Sequence, residues 1–298
     1  MKIPPPGRIL AGFHVTVEGQ GTPVVVLEAG IAASSLSWSL VQKNIAAFTT
    51  VLSYDRRGYG WSDRPIDART VANAASDLEE MLANTGLPGP FVLVGHSLGG
   101  LIVRVLQQKS PSQVAGMVLV DPVVRAEWQN PLKHPMIARG ATLSRRGALL
   151  ARLGFVGLAI RLLTGGSHRV PKLLARLSAG NGAGVASRLV GEVRKMPREQ
   201  WPAIAQHWSH PQSFETMADY LEQLPLSVTQ LEAERPLGDM PLVVLSASQS
   251  VPEHLHDAAL SNRGRHIVVP ESGHWMQLDS PDAVIEAVRQ VVEEVRAK

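Results

Sequence analysis

The pentapeptide Gly95-His96-Ser97-Leu98-Gly99 constrains the fold of this chain more than any other segment. It follows an apolar run from Phe91 to Val94 and precedes a helical pattern from Leu98 to Lys109. A G-x-S-x-G sequence at such a junction predicts a tight turn that lifts the serine above a sheet, with glycines where side chains would collide. The five residues alone are a weak signal, and an ordinary glycine-rich turn is the alternative. Their position between a strand and a helix predicts that Ser97 is a nucleophile.

Short apolar runs alternate with helical patterns on both sides of this turn. Strands are predicted within 8–18 and at 23–28, 50–54, 91–94, 114–120, 242–245 and 266–269. Helices are predicted at 36–48, 68–85, 98–109, 252–260 and 281–296. From Val123 to Glu234 only helical stretches remain. This order predicts an α/β fold with a mostly parallel, doubly wound sheet, whose core comprises residues 1–122 and 235–298 and whose helical insertion comprises residues 123–234.

A serine hydroxyl needs a base to take its proton, and His274 is the strongest candidate among ten histidines. It follows the last predicted strand and precedes the last helix, which puts it on a loop at the carboxyl end of the sheet, where sites form. A solvent-exposed loop histidine is the alternative. By position, the backbone N–H groups of Ile31, after an early strand, and Leu98, after the nucleophile, are the predicted donors to an oxyanion.

The helical insertion is strongly basic. Between Val123 and Gln200 the chain has 14 Lys and Arg against three acidic residues, a net charge of +11, so the rest carries −8 of the total +3. This asymmetry suggests contact with an anionic substrate or a lipid surface, although a solvated rim is the alternative. An almost entirely apolar stretch from Leu149 to Leu163 predicts a buried helix or one that lines an apolar pocket, and hence a preference for acyl groups longer than acetyl.

Several classes of protein are disfavoured. The chain has no cysteine, which excludes disulfides and thiolate chemistry. Prolines at positions 4–6 interrupt the place of a signal-peptide core, and no apolar segment is long enough to cross a membrane, so a cytoplasmic location is expected. His254 and His256 lack a third ligand at metal spacing and are assigned to a solvated helix face. We expect no metal or other cofactor and no nucleic-acid partner, and the oligomeric state is left open.

These features together resemble the α/β-hydrolase superfamily, over nearly the whole chain outside the insertion. The shared segments are Glu28-Ala29-Gly30 with Trp38, residues 54–63, residues 95–100, and Ser272-Gly273-His274 with Leu278-Asp279. The resemblance implies that residues 123–234 are a helical cap over the active site, and that Asp55 and Arg57 belong to a structural turn. The sequence departs from many members of the superfamily in two places. Ala29-Gly30 stands where they have His-Gly, and Ser246 to Ser250, after the strand that often precedes the acid, contain no carboxylate.

The third catalytic group is predicted to be Asp121. Some members of the superfamily place their acid after the preceding core strand, and Asp121 ends that strand here. A carboxylate bonded to Nδ1–H of the histidine fixes the tautomer that leaves Nε2 free to accept the serine proton. The competing candidates are Glu253 and Asp257, which follow the next strand in a predicted helix. The remaining alternative is that Asp121 only caps its turn or pairs with an arginine.

The predicted activity is hydrolysis of a small-molecule carboxylic ester, with an apolar acyl group, through an acyl-enzyme on Ser97. Lactones, amides and thioesters are alternative substrates, and an acyltransferase or perhydrolase would use the same three residues. Relatives that open epoxides or displace halide need an aspartate where Ser97 stands. A ligand receptor with slow turnover is the alternative of a different class.

Overall fold

A computed structural model describes residues 5–158, 194–231, 235–247 and 251–297. Its sheet has eight strands in the order β1-β2-β4-β3-β5-β6-β7-β8. These strands are β1 Arg8–Leu10, β2 Phe13–Glu18, β3 Val25–Glu28, β4 Val51–Tyr54, β5 Phe91–His96, β6 Val114–Val120, β7 Leu242–Ala247 and β8 Gly264–Val269. Only the pairs β1–β2 and β2–β4 are antiparallel, and the other neighbours are parallel. The mostly parallel sheet predicted from the sequence is confirmed.

Helices cover both faces of this sheet. Numbered over the described residues, they are α1 Ser39–Ile45, α2 Val71–Thr85, α3 Leu98–Lys109, α4 Arg125–Gln129, α5 His134–Arg152, α6 Trp201–Ser209, α7 Pro211–Ser227, α8 Pro252–Ala259, α9 Met276–Asp279 and α10 Pro281–Arg296. Apolar residues of α2 and α3 join one buried cluster, and those of α1 and α10 join the other. Because both faces are covered, the strands are buried and mostly apolar, as in β3, which is buried throughout and is apolar up to Glu28 at its end.

Helices α4 to α7 lie between β6 and β7. The described residues between these strands contain no strand of the sheet, in agreement with the helical character expected of residues 123–234. Helix α5 packs along α7, and Gly147 permits their close approach, since a Cβ there would lie 2.7 Å from the ring of Phe214. Helix α7 also reaches the core, where the ring of Tyr220 stacks on Tyr59 at 6.0 Å.

The end of α5 and the residues after it differ from the expectation of burial. Leu149, Leu153 and Leu158 are 58%, 62% and 56% exposed. Phe155 is also exposed, while the remainder of the predicted apolar stretch, Ile160 to Leu163, lies outside the described residues. The expectation of burial is therefore wrong for these exposed residues, while the alternative, that the stretch lines an apolar pocket, stays a prediction. Among the described residues, none of the helices has the length and apolarity needed to cross a membrane.

Candidate active site

Ser97 lies between β5 and α3 in a backbone conformation that few side chains adopt. Its φ is 53° and its ψ is −118°. Strain of this kind amounts to about 1–3 kcal/mol and persists only where the surroundings impose it. Here the Ser97 N–H donates to the carbonyl of Val120 at 3.0 Å, and the Ser97 carbonyl accepts from Gly100 N–H at 3.0 Å. The neighbouring strand and the first turn of α3 thus hold the serine at the carboxyl edge of the sheet.

The two glycines that flank Ser97 are needed for space. A Cβ on Gly95 would lie 2.5 Å from the carbonyl oxygen of Gly99. A Cβ on Gly99 would lie 2.5 Å from the carbonyl oxygen of Glu28, at the end of the adjacent strand β3. Both distances are shorter than carbon and oxygen tolerate without bonding. The G-x-S-x-G sequence therefore has the steric origin predicted for it.

His274 bridges Ser97 and Asp121. Its Nε2 lies 3.0 Å from Ser97 Oγ, and its Nδ1 lies 2.6 Å from Asp121 Oδ2. The loop after β8 carries this histidine, whose side chain is 51% exposed. With the proton on Nδ1 donated to the carboxylate, Nε2 is left as an acceptor for the serine hydroxyl. Three side chains from three different strand ends thus form one chain of hydrogen bonds.

Asp121 is oriented by the end of β7. Its Oδ1 accepts the Ala247 N–H at 3.0 Å, and its own N–H donates to the carbonyl of Leu245 at 2.8 Å. Its φ of 42° turns the side chain out of β6 toward His274. Burial alone would raise the pKa of Asp121, but the hydrogen bonds from His274 and Ala247 outweigh burial and hold that pKa below its usual range. The carboxylate is therefore charged at neutral pH.

The two competing carboxylates are engaged elsewhere. Glu253 accepts from the backbone N–H of Arg125 at 2.7 Å and from its Nε at 3.1 Å, at the start of α4. Asp257 is buried and pairs with Arg104 Nη1 at 2.6 Å. Of the three carboxylates considered, Asp121 is the one in hydrogen-bonding contact with His274.

His96, the residue before Ser97, contributes an interaction that the sequence analysis missed. Its Nε2 lies 2.8 Å from the carbonyl oxygen of His274, and its Nδ1 lies 3.3 Å from the amide nitrogen of Gln277. Burial lowers the pKa of His96 to about 3, with His274 nearby adding to the effect, so the ring is neutral. A neutral ring with its proton on Nε2 satisfies both contacts, and this ring ties the loop of His274 to β5.

The loop that carries Ile31 lies against the serine. A Cβ on Gly30 would be 3.3 Å from Ser97 Cβ and 2.8 Å from His96 Nδ1. The buried Arg56 guanidinium donates to the carbonyls of Ala29 and Gly30, the second at 2.6 Å, and also pairs with Glu28. Arg56 thus holds two successive carbonyls of the loop on its own side. The sequence analysis missed this role. Arg56 and Arg57 are adjacent in the same shared segment, and nothing in the sequence shows which of the two contacts the loop.

The two predicted oxyanion donors are available for hydrogen bonding. Within the described residues, the N–H groups of Ile31 and Leu98 donate to no protein acceptor, and Leu98 is the first residue of α3. The peptide dipoles of α3 favour negative charge at its N-terminus, so an oxyanion bound by the Leu98 N–H would also be stabilised by the helix. Their approach to one bound oxygen stays a prediction.

The histidines of α8 require a correction. His254 does not face solvent, since it is buried, with Nδ1 2.6 Å from Ser246 Oγ and Nε2 2.9 Å from the carbonyl of Pro122. Ser246 Oγ also lies 2.7 Å from His266 Nε2. His256 is exposed, as expected. Among the described residues, His, Cys, Asp and Glu form no group of three or more that could hold a metal ion.

A mostly parallel sheet with a strained serine at a strand-to-helix turn, hydrogen-bonded to a histidine that in turn contacts a carboxylate, defines the α/β-hydrolase class. Residues 24–287 match the model of the alpha/beta hydrolase family. The chain belongs to this family. The match runs across both parts of the predicted core and through the helical insertion.

Curated relatives include hydrolases of several kinds. The mouse sn-1-specific diacylglycerol lipase ABHD11 is 24% identical over 278 residues, which cover 91% of this chain and 82% of that protein. An AB hydrolase superfamily protein of Gibberella zeae is 33% identical over 103 residues, which cover 33% of this chain and 32% of the relative. Together with it, three further curated relatives are matched over only 17% to 43% of their own lengths.

A solved structure agrees with the fold. The epoxide hydrolase VrEH1 from Vigna radiata has a TM-score of 0.69 at 16% identity, covering 96% of this chain and 97% of that one. At this identity the likeness concerns the fold alone.

Proposed function

We propose that this protein is a serine hydrolase that cleaves small carboxylic esters through an acyl-enzyme on Ser97. The observation that carries the proposal is the pair of contacts made by His274, 3.0 Å to Ser97 Oγ and 2.6 Å to Asp121 Oδ2. A serine hydroxyl, a histidine with a free Nε2 and a carboxylate on Nδ1 are the groups that acyl transfer to serine requires.

In the proposed reaction, Ser97 Oγ attacks the ester carbonyl carbon while His274 Nε2 takes the hydroxyl proton. The N–H groups of Ile31 and Leu98 stabilise the negative oxygen of the tetrahedral intermediate. The carbon–oxygen bond to the alcohol breaks, and the proton on His274 passes to that leaving alcohol. A water then attacks the acyl-serine with His274 again as base, which releases the acid and restores Ser97. Asp121 stays ionised and stabilises the imidazolium in both steps.

We further propose that residues 123–234 form a cap and that the acyl group is apolar. Support comes from a cluster in which buried Leu36 and Leu278 of the core meet Met196, Ala203 and Ile204 of the insertion. Partly buried tryptophans surround this cluster, namely Trp61, Trp201, Trp208 and Trp275. The accessible faces of these tryptophans are apolar, and an apolar lining favours aliphatic chains. The exposed residues at the end of α5 give no support to the acyl pocket.

An ester is favoured over an epoxide because of the nucleophile. Epoxide-opening relatives carry an aspartate at this position, whereas this chain has Ser97. The printed name of the mouse relative, a diacylglycerol lipase, also favours an ester. Lactones, and acyl transfer to an alcohol or peroxide in place of water, are alternative outcomes on the same three residues.

A finer proposal is that the insertion contacts an anionic lipid surface. Exposed Leu149 and Leu153 alternate with the exposed Arg146 and Arg152, a combination that favours the membrane interface. Part of the basic charge is neutralised, since Arg152 pairs with Glu215. Sedimentation with vesicles of anionic and of zwitterionic lipid tests this point, and equal recovery with both at low salt would contradict it.

The main test combines labelling and turnover. A fluorophosphonate should label the protein at Ser97, and p-nitrophenyl esters of graded chain length should release one equivalent of p-nitrophenol in a burst if deacylation is slow. Ser97→Ala should lose labelling and turnover, whereas Ser112→Ala, at an exposed serine, should keep both. Turnover that survives in Ser97→Ala would disprove the mechanism. Labelling without turnover on any ester would favour the receptor alternative.

A further inference from the structure

A small cavity lies behind the loop of Ile31, between the core and the insertion. Its volume is about 30 Å³. Ala32 and Ser34 form the core side together with Tyr59, and Ile204 and His207 of α6 form the opposite side. A polar group of the size of one water or one hydroxyl fits such a volume.

His207 faces this cavity with its hydrogen-bonding capacity unused. Its side chain is buried, with the residue 5% exposed, and neither ring nitrogen has a hydrogen-bond partner. Burial lowers the pKa of His207 to about 4, so the ring is neutral at pH 7 and offers one donor and one acceptor. Buried polar groups in native proteins are nearly always satisfied, and one that is not calls for an explanation such as a functional role or a bound water or ion.

The surroundings hold this ring in place. The indole of Trp61 meets it edge to face at 4.1 Å, and the carbonyl of His207 accepts from Ser213 Oγ at 2.9 Å. Tyr59 accepts the Ala32 N–H at 3.2 Å, which leaves its own hydroxyl proton without an acceptor among the described residues. The cavity therefore has a donor and an acceptor on His207 and a second donor on Tyr59, between apolar walls.

The distance between the cavity and Ser97 has an upper bound. A Cβ on Gly30 would lie 3.3 Å from Ser97 Cβ, and Ala32 is two residues further along the loop. With consecutive Cα atoms 3.8 Å apart, the rim at Ala32 is at most about 12 Å from Ser97. A chain of six to eight carbon atoms covers such a distance.

We propose that this cavity is a specificity subsite that binds an uncharged hydroxyl group on the acyl chain of the substrate through His207. A hydroxyl both donates and accepts, which matches a neutral imidazole, and it fits the volume. A carboxylate or ammonium group would have to lose its hydration between Ala32, Ile204 and Trp208, which is strongly unfavourable. The inference rests on the proposed ester hydrolysis and names a substrate feature for it.

The preference for a hydroxylated acyl chain over a plain alkyl chain should be large, because an alkyl chain in the same position leaves the buried polar groups unpaired. Sites built for a hydroxyl reject the analogue that lacks it far better than apolar pockets reject an extra methylene. The measured quantity is the ratio of kcat/KM for p-nitrophenyl 6-hydroxyhexanoate and 8-hydroxyoctanoate to that for the corresponding alkyl esters. The terminal hydroxyl is too far from the carbonyl to change its intrinsic reactivity.

In the wild type we expect this ratio to exceed the ratio in His207→Phe at least tenfold for one of the two chain lengths. The exposed neighbour His210 gives a matched control, and His210→Phe should keep the wild-type ratio. Equal ratios in wild type and His207→Phe, with alkyl esters still hydrolysed, would overturn the subsite and leave the proposed function standing. The cavity would then hold a structural water only. If the wild type turned over no ester at all, both the subsite and the proposed function would be contradicted.

A second measurement covers the case in which His207→Phe does not fold. The ring nitrogens of ¹⁵N-labelled wild-type His207 should shift on addition of 8-hydroxyoctan-2-one, an unreactive ketone analogue, and stay unchanged with octan-2-one. Identical spectra with both ketones, when both compete with ester turnover, would overturn the inference.

Discussion

The ring of His96 donates a hydrogen bond from Nε2 to the backbone carbonyl of His274, with 2.8 Å between nitrogen and oxygen. This contact joins the residue before the proposed nucleophile to the proposed base. The two rings lie 4.9 Å apart and are tilted by 46°. His96 is thus a positioning residue, because it touches the loop of His274 and has no need to touch the substrate.

The first prediction concerns this contact. His96→Phe removes the donor to the His274 carbonyl, and we expect kcat to fall about tenfold or more, the scale of a slightly misplaced catalytic group. KM should change little, since no substrate contact is lost. His96→Gln, whose amide can donate to the same carbonyl, should recover part of kcat. A merely structural role would give equal kcat in the two folded variants.

The second prediction concerns the acid. Asp121→Asn should lower kcat by roughly three to four orders of magnitude, because an amide favours the wrong tautomer of the histidine. Steady-state rates with p-nitrophenyl butyrate, corrected for folded fraction, measure the loss. Glu253→Gln and Asp257→Asn are the controls and should keep kcat, although Asp257→Asn should unfold more easily because it leaves Arg104 buried without its charge partner. Retained activity in Asp121→Asn together with its loss in either control would assign the acid to α8, which follows β7.

The third prediction compares two neighbouring arginines. Arg56→Lys loses the forked donors that hold the carbonyls of Ala29 and Gly30, so the loop of Ile31 should relax and kcat should fall about tenfold or more. Arg57→Lys is the control, because Arg57 contacts Glu80 at 3.3 Å and not the loop. Rates of phosphonate labelling report the same loss without turnover. Equal rates in the two variants would contradict a role of Arg56 in the site.

The fourth prediction concerns pH and stability. Burial lowers the pKa of His96 to about 3 and that of His207 to about 4, below the value of about 6.5 in an unfolded chain. As pH falls below 6.5, the unfolded state binds protons that the folded state does not. The contribution of these two histidines to the free energy of unfolding should therefore fall with pH, each by up to about 1.4 kcal/mol per pH unit.

Urea unfolding at pH 7, 6 and 5 measures this slope. His207→Phe should reduce the slope by the contribution of one histidine, and the exposed His210→Phe should keep the wild-type slope. If His207→Phe and the wild type lose stability in parallel between pH 7 and 5, the imidazole of His207 is not held neutral in the folded protein.

The residues that the sequence placed well are those whose geometry follows from strand ends. Ser97, Asp121 and His274 each terminate or follow a strand. Because these strands are parallel, their carboxyl ends lie at one edge of the sheet, and the three residues lie at that edge. The family match and the sheet order confirm the fold predicted from the same alternation. Their catalytic roles stay proposals until the variants are made.

The features missed by the sequence analysis depend on packing between distant segments. His254 and Asp257 lie three residues apart on one face of α8, but polar side chains give no signal that this face is buried. The partners that satisfy them, Ser246 and Arg104, come from β7 and α3. The exposure of Leu149 and Leu153 was missed because apolarity alone does not say which surface a helix meets.

Helix α7 has a consequence for how the insertion could have been acquired or lost. The side chains of Ser227 and, just beyond the helix, Gln230 accept the N–H groups of Val71 and Ala72 at 3.2 and 3.0 Å, and thus cap α2 of the core. The guanidinium groups of Arg56 and Arg69 lie over the ring of Tyr220 at 5.1 and 5.2 Å. Excising the insertion by joining Pro122 to Arg235 would leave the N–H groups of Val71 and Ala72 without these partners, with Thr70 as the remaining cap of α2, and would open two buried arginines to water. The insertion is therefore not an exchangeable module, and a shortened chain would have to evolve substitutes for α7 before it could dispense with the rest.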